Sequence, residues 1–140
     1  MSCVIRIEGK EFDVDKVLPR LATESPVLPY IVVRKGEAYR KGRQALVADQ
    51  SSLNFDVSSE FFSHLADELP VIRRFLLRHM ATLSWLTNVA GVEYAYIDVV
   101  MQLRDVAQFP QDEEALPESV IQLLAMSGLR LRISFSSGEV

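Results

Sequence analysis

Apolar and polar residues alternate at the start of the chain. Cys3, Ile5 and Ile7 fall on one side, and Val4, Arg6 and Glu8 on the other. A period of two predicts a half-buried strand, and Gly9 ends it. Asp13 is placed to cap a short helix whose inner side carries Val14, Val17, Leu18 and Leu21. Pro19 is expected to limit that helix, because an interior proline removes a hydrogen bond and crowds the preceding turn. Pro26 and Pro29 mark a loop, and the β-branched run Tyr30–Arg34 predicts a short strand. Lys35–Ser52 is irregular, with turns at Gly36 and Gly42 and a short edge strand at Ala45–Val47. Alternation returns at Leu53–Val57, with Leu53, Phe55 and Val57 inward and Asn54 and Asp56 outward.

The period then changes. From Ser58, a good N-cap, a stripe runs through Phe62, Leu65, Leu69, Ile72, Leu76, Met80, Leu83 and Leu86 in steps of three and four. That is one face of a helix. The stripe keeps its phase across Pro70, so a kink or a very tight junction is expected there. Arg73, Arg74 and Arg78 should face water, and Gly91 is placed to close the helix. A long strand, Val92–Leu103, follows. Ala95, Ile97, Val99, Met101 and Leu103 point one way; Tyr94, Tyr96 and Asp98 point the other. An acidic loop leads to Pro117, which suits the first turn of a last helix, and Gly128 ends that helix. In the final strand Leu129, Leu131, Ile133 and Phe135 oppose Arg130, Arg132, Ser134 and Ser136.

Four strands with one apolar face and one polar or mixed face argue against a sheet covered on both sides. The expected fold is α+β: a two-layer sandwich, a mainly antiparallel sheet with helices on one face, ferredoxin-like or a variant. One domain should span residues 1–140. The uncovered face would present Arg6, Asp56, Tyr94, Tyr96, Asp98, Arg130 and Arg132.

Composition narrows this picture modestly. The chain is 49% apolar and 24% charged, the balance of a soluble globular protein. Its single cysteine, Cys3, permits no internal disulfide, which fits a reducing compartment and a cytoplasmic location. Arg6, Glu8 and Lys10 break any signal-peptide core, and no apolar run approaches membrane-spanning length. The net charge is −4, which argues against non-specific nucleic-acid binding. The charge is uneven, however: Arg34, Lys35, Arg40, Lys41 and Arg43, with Tyr39 among them, face one acid, Glu37.

Signals of catalysis are poor. Glu60, His64 and Glu68 lie four apart, and such a row is ordinarily a solvated face; no metal site and no cofactor are expected. No nucleophile elbow, phosphate loop, zincin motif or dinucleotide fingerprint occurs. Cys3 lies on an apolar side, as a buried, inert thiol would. The acids Asp112, Glu113 and Glu114 read as a solvated loop before a helix N-terminus.

Tyrosine and arginine are enriched at protein-binding hot spots, so the uncovered face is the first place to look for function. Its candidate partner-binding residues are Arg6, Tyr94, Tyr96, Asp98, Arg130 and Arg132. The plainer reading is that Tyr94 and Tyr96 shield backbone and that Arg130 or Arg132 pairs with Asp98.

The chain resembles a group of small bacterial proteins of unknown function. The resemblance rests on Asp13-Val14-Asp15, Lys35-Gly36-Glu37, Ser58-Ser59-Glu60, Gly91-Val92 through Asp98, and Pro117-Glu118 through Ser134. It spans nearly the whole chain. Val99 and Val100 stand where the group has an aromatic residue and a glycine. Some of these proteins are regarded as immunity proteins that neutralise a toxin. The resemblance implies a non-enzymatic protein-binding module, immunity-like, with a protein partner such as a toxin. The alternative is a small-ligand or nucleic-acid binding domain using Arg34, Lys35, Tyr39, Arg40, Lys41 and Arg43. A homo-oligomer through the sheet face is compatible with either.

Overall fold

The structure is a computed structural model and describes residues 2–24, 29, 31–58, 65–102 and 117–136. Strand β1 is Ser2–Gly9, helix α1 Val14–Glu24, β2 Ile31–Val33, β3 Ala38–Lys41, β4 Gln44–Val47 and β5 Ser51–Ser58. Helix α2 is Leu65–Leu86, β6 Tyr94–Gln102, α3 Glu118–Ser127 and β7 Arg130–Ser136. The protein is α+β; the described residues form three helices and a mainly antiparallel five-stranded sheet in the order β2-β5-β1-β6-β7. β1 lies at the centre, antiparallel to both β5 and β6. β7 runs parallel to β6, the geometry that a helical crossover such as α3 permits. β3 and β4 form a separate two-stranded ribbon. In its two-residue loop Gly42 supplies the one positive φ, +63°, as the first position of a type II′ turn requires.

The alternation in the sequence becomes the two faces of the sheet. Cys3, Ile5 and Ile7 stand beside Val99, Ile97 and Ala95, and Ile5 and Ile7 beside Phe55 and Leu53. All of these are buried in one core cluster. The helices enter the same cluster: Val14, Val17 and Leu21 from α1, the stripe of α2, and Val120, Leu123 and Leu124 from α3. The Arg20 guanidinium lies 3.9 Å above the Trp85 ring and couples α1 to α2.

Pro19 and Pro70 sit inside helices that continue past them. α1 runs through Pro19 to Glu24, beyond the limit expected there, because Leu21 beyond the proline is fully buried. α2 is one helix through Pro70. Its stripe behaves as read: Leu69, Ile72, Leu76, Leu83 and Leu86 are buried, and Arg73, Arg74 and Arg78 are exposed. Ser58, expected as the N-cap of this helix, is the last residue of β5; residues 59–64, which include Glu60, Phe62 and His64, and the acidic loop lie outside the described residues.

Gly91 does not close α2, which stops at Leu86. It has φ +92°, and a Cβ there would collide with the Glu11 carbonyl. Its role is close passage between two loops. Gly128 does end α3: its N–H reaches the Ala125 carbonyl and the Leu129 N–H reaches Leu124, the paired bonds of a Schellman motif.

Candidate functional site

Strand pairing brings the candidate residues into rows on the face away from the core cluster. Arg6 on β1 stands between Asn54 on β5 and Tyr96 on β6, with Arg130 on β7 beyond. Val4 stands between Asp56 and Asp98, with Arg132 beyond. Arg6, Tyr96, Asp98, Arg130 and Arg132 are therefore neighbours. Tyr94 lies at the end of this patch opposite Glu8 and is 50% exposed.

A polar network links them. Tyr96 donates a long hydrogen bond of 3.5 Å to Glu8 Oε1, and Arg132 Nη1 donates one of 3.4 Å to the Tyr96 hydroxyl. The Arg132 guanidinium also lies 5.3 Å from the Tyr96 ring centre. Burial pushes the Tyr96 phenol above its ordinary pKa, Glu8 adds to the shift, and Arg6 and Arg132 oppose it. The phenol therefore remains a donor at neutral pH. A shallow hollow of about 370 Å³ opens between Glu8, Tyr94, Tyr96, Arg130 and Arg132.

Asp98 corrects the expected pairing. Its cationic neighbour is Arg6, at 3.8 Å, and Ser134 donates a 2.7 Å hydrogen bond to its Oδ1. Arg132 is turned to Tyr96 instead. Asp98 is 4% exposed, so it holds Arg6 and Ser134 in place and offers little surface itself. Asn54, expected outward, is buried, and its Oδ1 lacks a hydrogen-bond partner among the described residues. Glu8 and Ser134 were the residues missing from the predicted set. Both share the period-two side of residues already chosen, and that was the available signal.

The basic segment splits in two. The Arg34 guanidinium is held by Asp15 at 2.9–3.1 Å and by Glu37 at 3.5 Å; it draws the Asp15 carboxyl below its usual range, first through these hydrogen bonds. Lys35 Nζ lies 3.9 Å from Glu11. These two cations fasten the turn before β3 to the N-terminal end of α1. Arg40, Lys41 and Arg43 lie on the exposed ribbon, where no carboxylate pairs with them among the described residues. Tyr39 is 47% exposed beside them.

Two buried ionisable groups lie elsewhere, on α2. Glu68, expected on a solvated row, is fully buried, and neither carboxylate oxygen has a hydrogen-bond partner among the described residues. Burial pushes its pKa up. His79 is buried, 4.4 Å from the Phe75 ring, with Nδ1 unpaired among the described residues, and burial pushes its pKa down. Each flanks the apolar stripe: Glu68 lies four before Ile72, and His79 three after Leu76. That spacing placed them inside. Cys3 is buried, and burial, then Glu68, raises its thiol pKa.

Among the described residues no cluster of three metal-binding side chains occurs. No helix among them is long and apolar enough to cross a membrane, which does not bear on strands. No family model, curated protein or solved structure matches the chain.

Proposed function

We propose that the protein is a non-enzymatic, immunity-like binding module that captures a protein partner, such as a toxin, on the sheet face bearing Arg6, Tyr96, Arg130 and Arg132. In this reading the described helices form a single layer on the other face, a two-layer variant of the ferredoxin-like arrangement, and the protein works in the cytoplasm. The observation that carries the proposal is the Glu8–Tyr96–Arg132 chain. It sets an aromatic ring beside a guanidinium at an accessible surface, the two side-chain types enriched at protein-binding hot spots. Donors from arginine and acceptors from Glu8 suit a partner of mixed charge.

The test replaces Arg130 and Arg132 together with glutamate. The variant should keep the wild-type melting temperature and lose a stoichiometric partner that co-purifies with the wild type. Absence of any co-purifying protein with the wild type, or its retention by the variant, removes the proposal.

A second reading rests on the ribbon. All four residues of β3 are exposed, and Arg40, Lys41 and Arg43 carry charge that no described acid neutralises. A two-stranded ribbon of this kind fits a nucleic-acid groove. Binding to an oligonucleotide that weakens steeply with salt, and is lost on replacing all three cations, supports it. No mobility shift at low salt rules it out.

A further inference from the structure

β7 is the last strand of the sheet, so among the described strands its outer edge has no neighbour. An unpaired edge presents a row of backbone donors and acceptors and is ordinarily blunted by charge, proline or brevity. β7 is seven residues long without proline. Its side facing the core cluster carries Leu131, Ile133 and Phe135, and these are 37%, 47% and 60% exposed. Three successive apolar side chains on one face of an open edge form a docking strip.

The strip continues inward. Leu131 and Ile133 wall a cavity of about 240 Å³ whose other sides include Leu69, Ile72, Ile97 and Val120. Its lining is wholly apolar, so water has little to hold it there.

We propose that β7 pairs antiparallel with β7 of a second copy of this chain, forming a two-fold dimer with one continuous sheet. Charge selects the register. Pairing about Arg132 sets that guanidinium against itself, and pairing about Leu131 sets Arg130 against Arg132; like charges directly opposed are destabilising. Pairing about Ile133, the middle residue of the strand, avoids both and overlaps all seven residues. Each Arg132 then faces the partner's Ser134, whose hydroxyl is hydrogen-bonded to a buried carboxylate, that of Asp98. On the apolar side Ile133 meets itself and Leu131 meets the partner's Phe135. The most exposed ring of the strip is thereby brought to the wall of the apolar cavity. The interface is isologous, so one surface meets its own copy and the assembly closes at two. It uses the strand edge and the apolar side of β7 but also sets Arg132 against the second copy's Ser134, so substitutions at Ile133, which leave Arg130 and Arg132 in place, separate it from the partner-binding reading.

Sedimentation equilibrium of the full chain should give twice the 15.8 kDa chain mass. Ile133→Asp should raise the dimer dissociation constant by roughly 30-fold or more. Ile133→Cys, which leaves the core intact, should form an intermolecular disulfide on oxidation, while Arg132→Cys alone should not. A monomeric wild type at high concentration overturns the proposal, all the more if it takes up an apolar dye, which would assign the cavity to a small ligand. A dimer that Ile133→Asp leaves intact and Ile133→Cys does not cross-link overturns it equally, because its interface lies elsewhere.

Discussion

The hydroxyl of Ser134 lies 2.7 Å from Oδ1 of Asp98 and bridges the parallel strands β6 and β7. Asp98 is buried, and its nearest cation, Arg6, stands off at 3.8 Å. The serine is thus a principal solvator of a carboxylate withdrawn from water. Ser134→Ala should destabilise the fold by about 1–3 kcal/mol, the usual cost of stripping a partner from a buried charged group. The double variant with Asp98→Ala should lose less than the sum of the two single variants. Urea unfolding of the four proteins checks this, and strict additivity would show that the bond carries no coupling.

Glu68 gives a pH signature. Burial raises its folded pKa above the unfolded value near 4.5. Folding therefore favours its protonated form. The stability it contributes is complete below that unfolded value and is lost as pH rises through the folded pKa. Glu68→Gln, which mimics the protonated carboxyl, should be more stable than wild type at neutral pH. The gap should close as pH falls from the raised folded pKa towards 4.5. Denaturant titrations across that range measure it, and a less stable glutamine variant at pH 7 would contradict the assignment.

His79 slopes the other way. Burial, with Arg78 adding to it, lowers its folded pKa below 6.5. Its contribution is complete above the unfolded value of 6.5 and is lost as pH falls through the folded pKa. His79→Phe should remove that part of the acid sensitivity while keeping a ring against Phe75. Melting temperatures compared at pH 7.5 and pH 5.5 should converge in the variant relative to wild type.

Two glycines with positive φ should respond differently to alanine. At Gly91 the new methyl meets the Glu11 carbonyl as well as an unfavourable φ, so Gly91→Ala should cost about 3 kcal/mol or more. At Gly42 nothing lies within 4 Å. Gly42→Ala bears the backbone term alone, about 1–2 kcal/mol. Thermal unfolding of the two variants should rank them in that order.

Much of the architecture was legible because it follows local periodicity. The alternation at Cys3–Glu8 and at Tyr94–Asp98 assigned both faces of the central strands. The stripe from Leu69 to Leu86 assigned the buried side of α2. The Gly128 end of α3 follows from terminal backbone groups that any helix must satisfy, whereas Pro117, expected in the first turn, is the residue before it and makes no side-chain cap bond. Tyr96, Arg130 and Arg132 could be grouped because they share a side of their strands.

Tertiary structure decided what periodicity cannot carry. Alternation says which way Asp98 points, but not that Ser134 and Arg6 would hold it; the parallel pairing of β6 with β7 and the central place of β1 did that. A proline rule stops a helix when nothing opposes it, and the packing of Leu21 and Leu76 outweighed it at Pro19 and Pro70. Glu68 and His79 belong to polar residue types, yet their spacing put them on a face the core had to bury. The free edge of β7 is a property of strand order, and strand order depends on contacts between residues distant in sequence. The chain by itself determined which face each residue takes, since that depends on backbone geometry within a few residues. Which faces meet, and which one is left over, was settled by long-range burial.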